Sequence, residues 1–353
     1  MKILCTGGDG YIGWPLVLRI NTIYPDADIV ILDSLIRRRR SGVSGGANLI
    51  PIAPIDERIT TYADVTGTNN ISFVDGCVTN SQLVQKLFER HNPDVILHLA
   101  HQRSAPYSML GLDEMIETVT NNEVGILNIL WNMRTYCPNA HLIKLGSFGA
   151  YAKPGVEIPE GYFFPKYKDL TANISVPFPR SATDIYHVTK INDANFAYLA
   201  ANKWGLTITD VMQSTVFGQS TTETILNPTL RTRFDYDAVW GTVINRFLTQ
   251  TIANIPMQVY GSGHQRTGLM SLSDTITVLA HLIVDPPQQG THRVINSVTD
   301  NLTINEIADT VFNVSKRLGL SPEISHNQFN PREENDNARS GDAICTDYID
   351  QFL

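Results

Sequence analysis

Apolar and polar positions alternate along the first 150 residues in blocks of two kinds. Lys2 to Thr6, Asp28 to Leu32, Asp94 to Leu99 and His141 to Leu145 are short, largely apolar, β-compatible runs. Helical spacing fills Tyr11 to about Ile23, and about Asp113 to Arg134. Such runs separated by helices predict βαβ units and a parallel sheet covered on both faces. From about Ala152 to Arg180 the chain is rich in Pro and Gly and loses its periodicity, which predicts a long loop near a site. A helix is predicted from Asp184 to about Trp204, then a strand from Leu206 to Met212. Beyond Gly218 polarity rises, and Thr221 to Asp235 reads as irregular. Further helices are predicted for Asp237 to Ile252 and Ile304 to Leu318. Thr303 and Glu306 open the second of these with capping-box spacing. No internal repeat is present.

This pattern predicts an α/β fold: a doubly wound parallel sheet of the Rossmann type with a smaller, mixed α/β C-terminal lobe for the substrate. Residues 1–218 are expected to form the dinucleotide-binding domain, including the Tyr186 helix. Residues 219–353 are expected to form mainly the lobe, with a strand or helix near 236–260 returning to the first domain. The 353 residues suit one large domain or two intimate ones. At 42% hydrophobic and 18% charged, the composition is globular. The net charge of -8 argues against nonspecific nucleic-acid binding, which needs basic surface. No apolar run approaches the ~20 residues of a membrane span. Met1 to Thr6 meets glycines at once, unlike a signal peptide. The four cysteines form no CxxC pair, so a reducing cytoplasmic setting is expected, with no disulfide frame and no metal site.

Two motifs carry chemistry. Gly7-Gly8-Asp9-Gly10-Tyr11-Ile12-Gly13 follows the first strand and opens the first helix. Its first glycine permits a tight turn, its second lets backbone approach a pyrophosphate, and its third lets helix pack on strand. The helix N-terminus adds partial positive charge. Asp33 ends the second strand and can accept hydrogen bonds from an adenosine ribose. A carboxylate there favours NAD over NADP; the Arg37 to Arg40 run pulls the other way, and Asp33 is nearer the expected ribose. The second motif is Tyr186-His187-Val188-Thr189-Lys190. Tyr and Lys four apart share one helix face, where an ammonium favours the phenolate. Such a tyrosine can take a proton from a sugar hydroxyl as NAD oxidises its carbon. Ser147, just past the strand ending at Leu145, can bind the same oxygen.

The glycine turn, Ser147, Tyr186 and Lys190 resemble extended short-chain dehydrogenase/reductases acting on nucleotide sugars. A closer resemblance, to the UDP-sulfoquinovose synthases, runs through Gln102-Arg103-Ser104-Ala105-Pro106-Tyr107-Ser108-Met109 and Lys144-Leu145-Gly146-Ser147. It continues in Arg231-Thr232-Arg233-Phe234-Asp235-Tyr236-Asp237, Trp240-Gly241-Thr242, Val259-Tyr260-Gly261 and Asn330-Pro331-Arg332. The resemblance implies NAD and UDP-glucose, oxidation at C4, elimination of the 6-hydroxyl, addition of sulfite at C6 and reduction at C4. It also implies a homodimer. The cofactor residues expected are Gly7, Gly10, Tyr11, Ile12, Gly13, Asp33, Arg37, Gly76, Cys77, Leu99, Ala100 and Gln213, with Tyr186 and Lys190. The sugar nucleotide is expected at His101, Arg103, Ser104, Tyr107, Ser147, Phe148, Gly149, Tyr186, Arg233, Tyr260, Arg266 and Arg332. Arg103, Arg266 and Arg332 are the candidate anion contacts.

Several positions depart from the family pattern. Ala150 stands for a glutamate, His101 for another, and Cys77 for an aspartate that often contacts adenine. Arg266 is displaced by one place. Phe148 and Gly149 occupy the positions of the acid and base of sugar 4,6-dehydratases. The oxidation machinery is therefore intact, while groups for elimination are altered. Competing outcomes are a 4-epimerase, which needs no carboxylate pair, and a dehydratase or other keto-sugar enzyme with His101 or Tyr151 as proton carrier. A noncatalytic NAD-binding sensor is the alternative of a different class. Replacing Tyr186 by Phe separates it from an enzyme.

Overall fold

Apolar runs bounded by glycine or proline turns become the buried strands of one sheet. The computed structural model describes residues 1–40, 49–151, 157–328, 344 and 346–353. Strand β1 (Lys2–Thr6) buries every residue after Lys2 and feeds the glycine turn and helix α1 (Gly13–Ile23). Then follow β2 (Asp28–Asp33), α2 (Ile55–Thr66), β3 (Ile71–Asp75), α3 (Ser81–His91) and β4 (Val95–His98). Helix α4 (Leu112–Val119) runs through a π-helical turn (Thr120–Val124) into α5 (Gly125–Tyr136). Next come β5 (His141–Leu145), α6 (Ile185–Trp204) and β6 (Thr207–Gln213). The rest comprises β7 (Thr215–Phe217), α7 (Val243–Ile252), β8 (Met257–Tyr260), β9 (Arg266–Ser271), α8 (Leu272–Leu282), β10 (His292–Ser297), β11 (Asp300–Thr303), α9 (Ile304–Arg317) and β12 (Ile324–Asn327).

Seven strands form a parallel sheet in the order β10-β6-β5-β4-β1-β2-β3. The chain reverses direction across the sheet at β1 and β4, and ligands bind at the carboxyl ends of strands beside such a switch point. The smaller lobe packs α7 and α9 on the β8–β12 pair around Phe247, Met257, Val259 and Ile307. A three-stranded sheet, β7-β9-β11, joins the two parts.

The returning segment differs from the expected one. Residues 243–260 stay in the lobe core, and it is α8 and β10 that rejoin the main domain, α8 on α1 and β10 beside β6. The helix predicted from Asp237 starts at Val243. Asp237 Oδ1 accepts the N–H groups of Val239 and Trp240, both at 2.8 Å, and folds a turn instead. Strand β3 escaped the pattern because it is an edge strand with Ile71 its one buried residue. Among the described residues of the long loop, the paired strands are two residues long, Tyr162–Phe163 with Val176–Pro177 and Lys166–Tyr167 with Leu170–Thr171, beside single bridges of Tyr151 with Arg180 and Ile158 with Ile344. Among the described residues no helix is long and apolar enough to cross a membrane.

Candidate active site

The glycine turn sits at the carboxyl edge of β1. Gly7 has φ 78°, and a Cβ there would lie 2.7 Å from the backbone of both Leu99 and Ala100. A Cβ on Gly13 would run into the Gly7 carbonyl oxygen, so the close approach of helix to strand requires glycine. Asp33 accepts the N–H groups of Asp9 at 3.0 Å and Leu35 at 2.8 Å. Burial, then the nearby Asp9 carboxylate, raises Asp33 to about 6. Gly76 donates its N–H to the Asp33 carbonyl at 3.0 Å, and Cys77 Sγ accepts the Thr79 hydroxyl at 3.1 Å.

A cleft of about 1290 Å³ runs from this turn to Ser147, Tyr186 and Lys190 and on to Tyr260 and Arg266 in the lobe. It exceeds the ~300–1,000 Å³ of a typical small-molecule pocket, enough for a dinucleotide and a second ligand together. Tyr11, Ile12, Arg37, Gly76, Cys77, Leu99, Ala100, Gln213 and Arg233 also line it. Lys190 Nζ donates to the Leu145 carbonyl at 2.7 Å and lies 5.7 Å from the Tyr186 ring centre. Burial lowers Lys190 to about 8, with Asp193 opposing the shift. Burial also raises Tyr186, against the lowering expected from an adjacent ammonium; Arg103 and the Ser147 hydroxyl only partly offset it. Ser147 Oγ accepts the Gly149 N–H at 3.2 Å.

The profile of the family described as "NAD dependent epimerase/dehydratase family" matches residues 3–296. The chain belongs to the NAD dependent epimerase/dehydratase family. It is 38% identical to a UDP-sulfoquinovose synthase of Sulfolobus acidocaldarius over 95% of this chain and 84% of that one. It is 34% identical to a chloroplastic UDP-sulfoquinovose synthase of Spinacia oleracea, over 94% of this chain and 68% of that one. A UDP-glucose 4-epimerase from Thermotoga maritima, solved with UDP-glucose, shares the fold. Its TM-score is 0.70 at 18% identity, over 99% of this chain and 92% of that one. The protein is thus an NAD-dependent enzyme of this family. Its turn fits NAD: Gly7 and Gly13 leave a cradle that a Cβ would fill, and Asp33 waits at the end of β2.

Of the expected sugar-nucleotide residues, His101, Ser104, Phe148, Gly149 and Arg233 also line the cleft, and several of them are held by protein partners. The His101 imidazole turns inward, its Nε2 2.8 Å from Asp193 Oδ2 and its ring edge-on to His98. Burial holds it well below its ordinary pKa. The Tyr107 phenol leaves the cleft and donates to Glu117 Oε2 at 2.9 Å. Ser104 caps the short helix Ala105–Ser108 and donates its hydroxyl to the Val239 carbonyl. The Tyr151 hydroxyl donates to Asn296 Oδ1 at 2.7 Å, away from a proton-carrier role. Ala150 is fully buried with Ile158, Met212 and Val294, so its position is a core site rather than one beside a sugar. Arg266 lines the cleft and donates to the Asn301 carbonyl at 2.6 Å. Arg332 lies outside the described residues.

Other site residues were not singled out from the sequence. His187 faces the cleft beside Tyr186. Its Nδ1 is 2.6 Å from Asp184 Oδ2; a carboxylate can only accept, so Nδ1 carries a proton, and in the neutral ring Nε2 is then the acceptor. A Cβ at Gly149 would strike that Nε2, so the space of a missing side chain is filled by this imidazole. Asn122, buried in the π-helical turn, accepts the Gln102 N–H at 2.8 Å and donates to Thr189 Oγ1 at 2.9 Å. It ties the loop after β4 to the Tyr186 helix. Such π-turns are frequent at functional sites. The sequence signal for it was a polar pair, Asn121-Asn122, interrupting an otherwise amphipathic helix.

Proposed function

We propose that the protein modifies a UDP-hexose, UDP-glucose in the first instance, through a transient C4 ketone, and completes the cycle by adding sulfite at C6. The observation that carries this reading is the joint presence of Ser147, Tyr186, Lys190 and His187 on one cleft with the glycine turn. The two synthase relatives, similar over nearly the whole chain, support the outcome.

In this reading Gly7, Gly10, Gly13 and Asp33 hold NAD, which when bound supplies the acceptor for the C4 hydrogen and returns it at the end. Ser147 hydrogen-bonds the 4-oxygen. Tyr186 takes the 4-hydroxyl proton, and the Lys190 ammonium stabilises the phenolate so formed. The ketone acidifies the proton at C5. His187 Nε2, oriented by Asp184, removes that proton and serves the departure of the 6-hydroxyl. The C5 proton leaves with the 6-hydroxyl as water. Bisulfite then adds through sulfur at C6 and gives its proton to His187, which passes it to C5, and Tyr186 returns its proton to the 4-oxygen as the hydrogen returns to C4. The net change replaces the 6-hydroxyl by a sulfonate with release of water.

The 4-epimerase reading rested on the missing acid and base at Phe148 and Gly149, and the His187–Asp184 pair supplies a proton carrier at that place. We further propose a homodimer. Leu112, Ile116, Leu127 and Trp131 on α4 and α5 and Val188 and Leu199 on α6 are exposed on neighbouring helices. The free thiols of Cys5, Cys77 and Cys137 suit a reducing cytosol.

Mass spectrometry of the enzyme with NAD and UDP-glucose, with and without sulfite in deuterated water, tests the reaction. A sulfite-dependent UDP-sugar sulfonate is expected. UDP-galactose without deuterium at C5 would overturn it in favour of an epimerase. No turnover in wild type or in Tyr186→Phe, with NAD still bound, would favour the sensor.

A further inference from the structure

Asp235 joins both banks of the cleft. It lies between β7 and α7 and is only 6% exposed. Oδ1 accepts Arg37 Nη2 at 2.7 Å, and Oδ2 accepts Arg103 Nη2. Arg37 belongs to the short helix Ile36–Arg39 just beyond Asp33, the cofactor side. Arg103 follows β4 and acts electrostatically on Tyr186, the sugar side. Trp240 repeats the linkage: the Arg37 guanidinium stacks 4.2 Å from its ring centre, and Arg103 Nη1 donates to its carbonyl at 3.2 Å. Arg37, Arg103 and Trp240 all line the cleft. One buried carboxylate from the lobe segment thus hydrogen-bonds two guanidiniums from different loops of the main domain, and the buried Arg233 also lies in its field. A guanidinium's planar fork makes each contact directional, so moving one arginine disturbs the carboxylate that holds the other.

We infer that Asp235 is a positioning residue that ties cofactor retention to sugar-nucleotide binding, by fixing Arg37 over the cofactor half of the cleft and Arg103 over the sugar half. This rests on the NAD and UDP-sugar reading above. A diphosphate that engages Arg103 stiffens Asp235, and through it Arg37. By linkage, the cofactor stiffens the sugar side equally.

The test measures release of bound NAD from the full-length enzyme, with and without UDP as the probe, together with steady-state kinetics on UDP-glucose. In wild type, UDP slows NAD release by about fivefold or more. In Asp235→Asn, NAD release accelerates about tenfold, UDP no longer slows it, and KM for UDP-glucose rises about tenfold while kcat stays within about threefold. Asp235→Glu, which keeps the charge, restores the effect of UDP. Asp235→Asn with wild-type release, wild-type KM and an intact UDP effect overturns the inference. If that variant does not fold, Arg37→Met decides through the effect of UDP: NAD release that UDP no longer slows supports the linkage, and release still slowed by UDP as in wild type overturns it. Wild type that binds neither NAD nor UDP defeats the functional reading itself. Wild type that binds both, with indifferent variants, defeats only the inference.

Discussion

Lys144 and Asp210 face each other across neighbouring strands, ammonium to carboxylate at 2.7 Å, with neither side chain reached by solvent. Burial alone would raise Asp210, yet Lys144, Arg180 and His292 together hold it far below the usual carboxylate range. The Lys144 charge also reaches Lys190 and pushes its pKa down. A pair that is structural in appearance thereby tunes the proposed site.

The first expectation concerns alkaline pH. Tyr186 and Asp193 on its own helix, Lys144 and Asp210 from the sheet, His98 at the end of β4 and His101 just after it all act on or feel Lys190. With Lys190 at about 8, kcat should fall as pH rises past that value. Lys144→Met should move this limb upward, because it removes a repelling charge. Stability runs the other way. The unfolded lysine, near 10.5, binds more protons than the folded one between about 8 and 10.5, so this group's contribution grows with pH across that window. A pH profile of kcat in both proteins checks the limb; identical limbs would exclude Lys190 as the titrating group.

Asp33 sets an acidic limit on cofactor binding. Raised to about 6, it loses its carboxylate as pH falls through that value, and with it the strong acceptor for a ribose hydroxyl. NAD affinity, measured by titration calorimetry from pH 5 to 8 (a window of about 3 pKa units around the group), should weaken below about 6. Asp33→Asn should bind weakly and without that dependence.

Gly13→Ala tests the cradle. The added methyl meets the Gly7 carbonyl oxygen, a backbone atom that cannot swing aside. We expect a loss of about 1–3 kcal/mol in chemical denaturation and a large loss of NAD affinity. Unaltered NAD binding would mean that the turn has slack which the geometry denies.

His187→Gln should separate two stages of the reaction. The glutamine keeps a polar group against Gly149 but cannot carry a proton. Oxidation at C4, followed by the absorbance of reduced cofactor, should persist. Deuterium entry at C5 from solvent should drop by about 10²-fold or more. Undiminished entry would remove His187 from the proton path.

The readable parts of the site were those whose logic is local. Gly7, Gly10, Gly13 and Asp33 lie on one β-turn-α-β stretch, and Tyr186 and Lys190 on one helical turn, so spacing alone exposes them. Asp235 has its meaning only through Arg37 and Arg103, far back in the chain. His187 stood in plain view beside Tyr186, but its access to the cleft depends on the absent side chain at Gly149. His101 lines the cleft, but adjacency to Gln102 and Arg103 says nothing of which way an imidazole turns, and its Nε2 lies beside Asp193. The strands were legible where both faces are covered. The edge strand β3 and the late-returning β10 were not.

The late return of α8 and β10 decides how the protein can be cut. A chain ended at Gly218 would shed more than its substrate lobe. It would strip α8 from the flank of α1 and leave β6, buried along all seven residues, as a naked sheet edge. Such a fragment invites aggregation through that edge. Residues 219 onward are therefore no detachable cassette: nonsense alleles and two-hybrid fragments truncated there report a broken nucleotide-binding domain, whatever they were meant to say about the lobe.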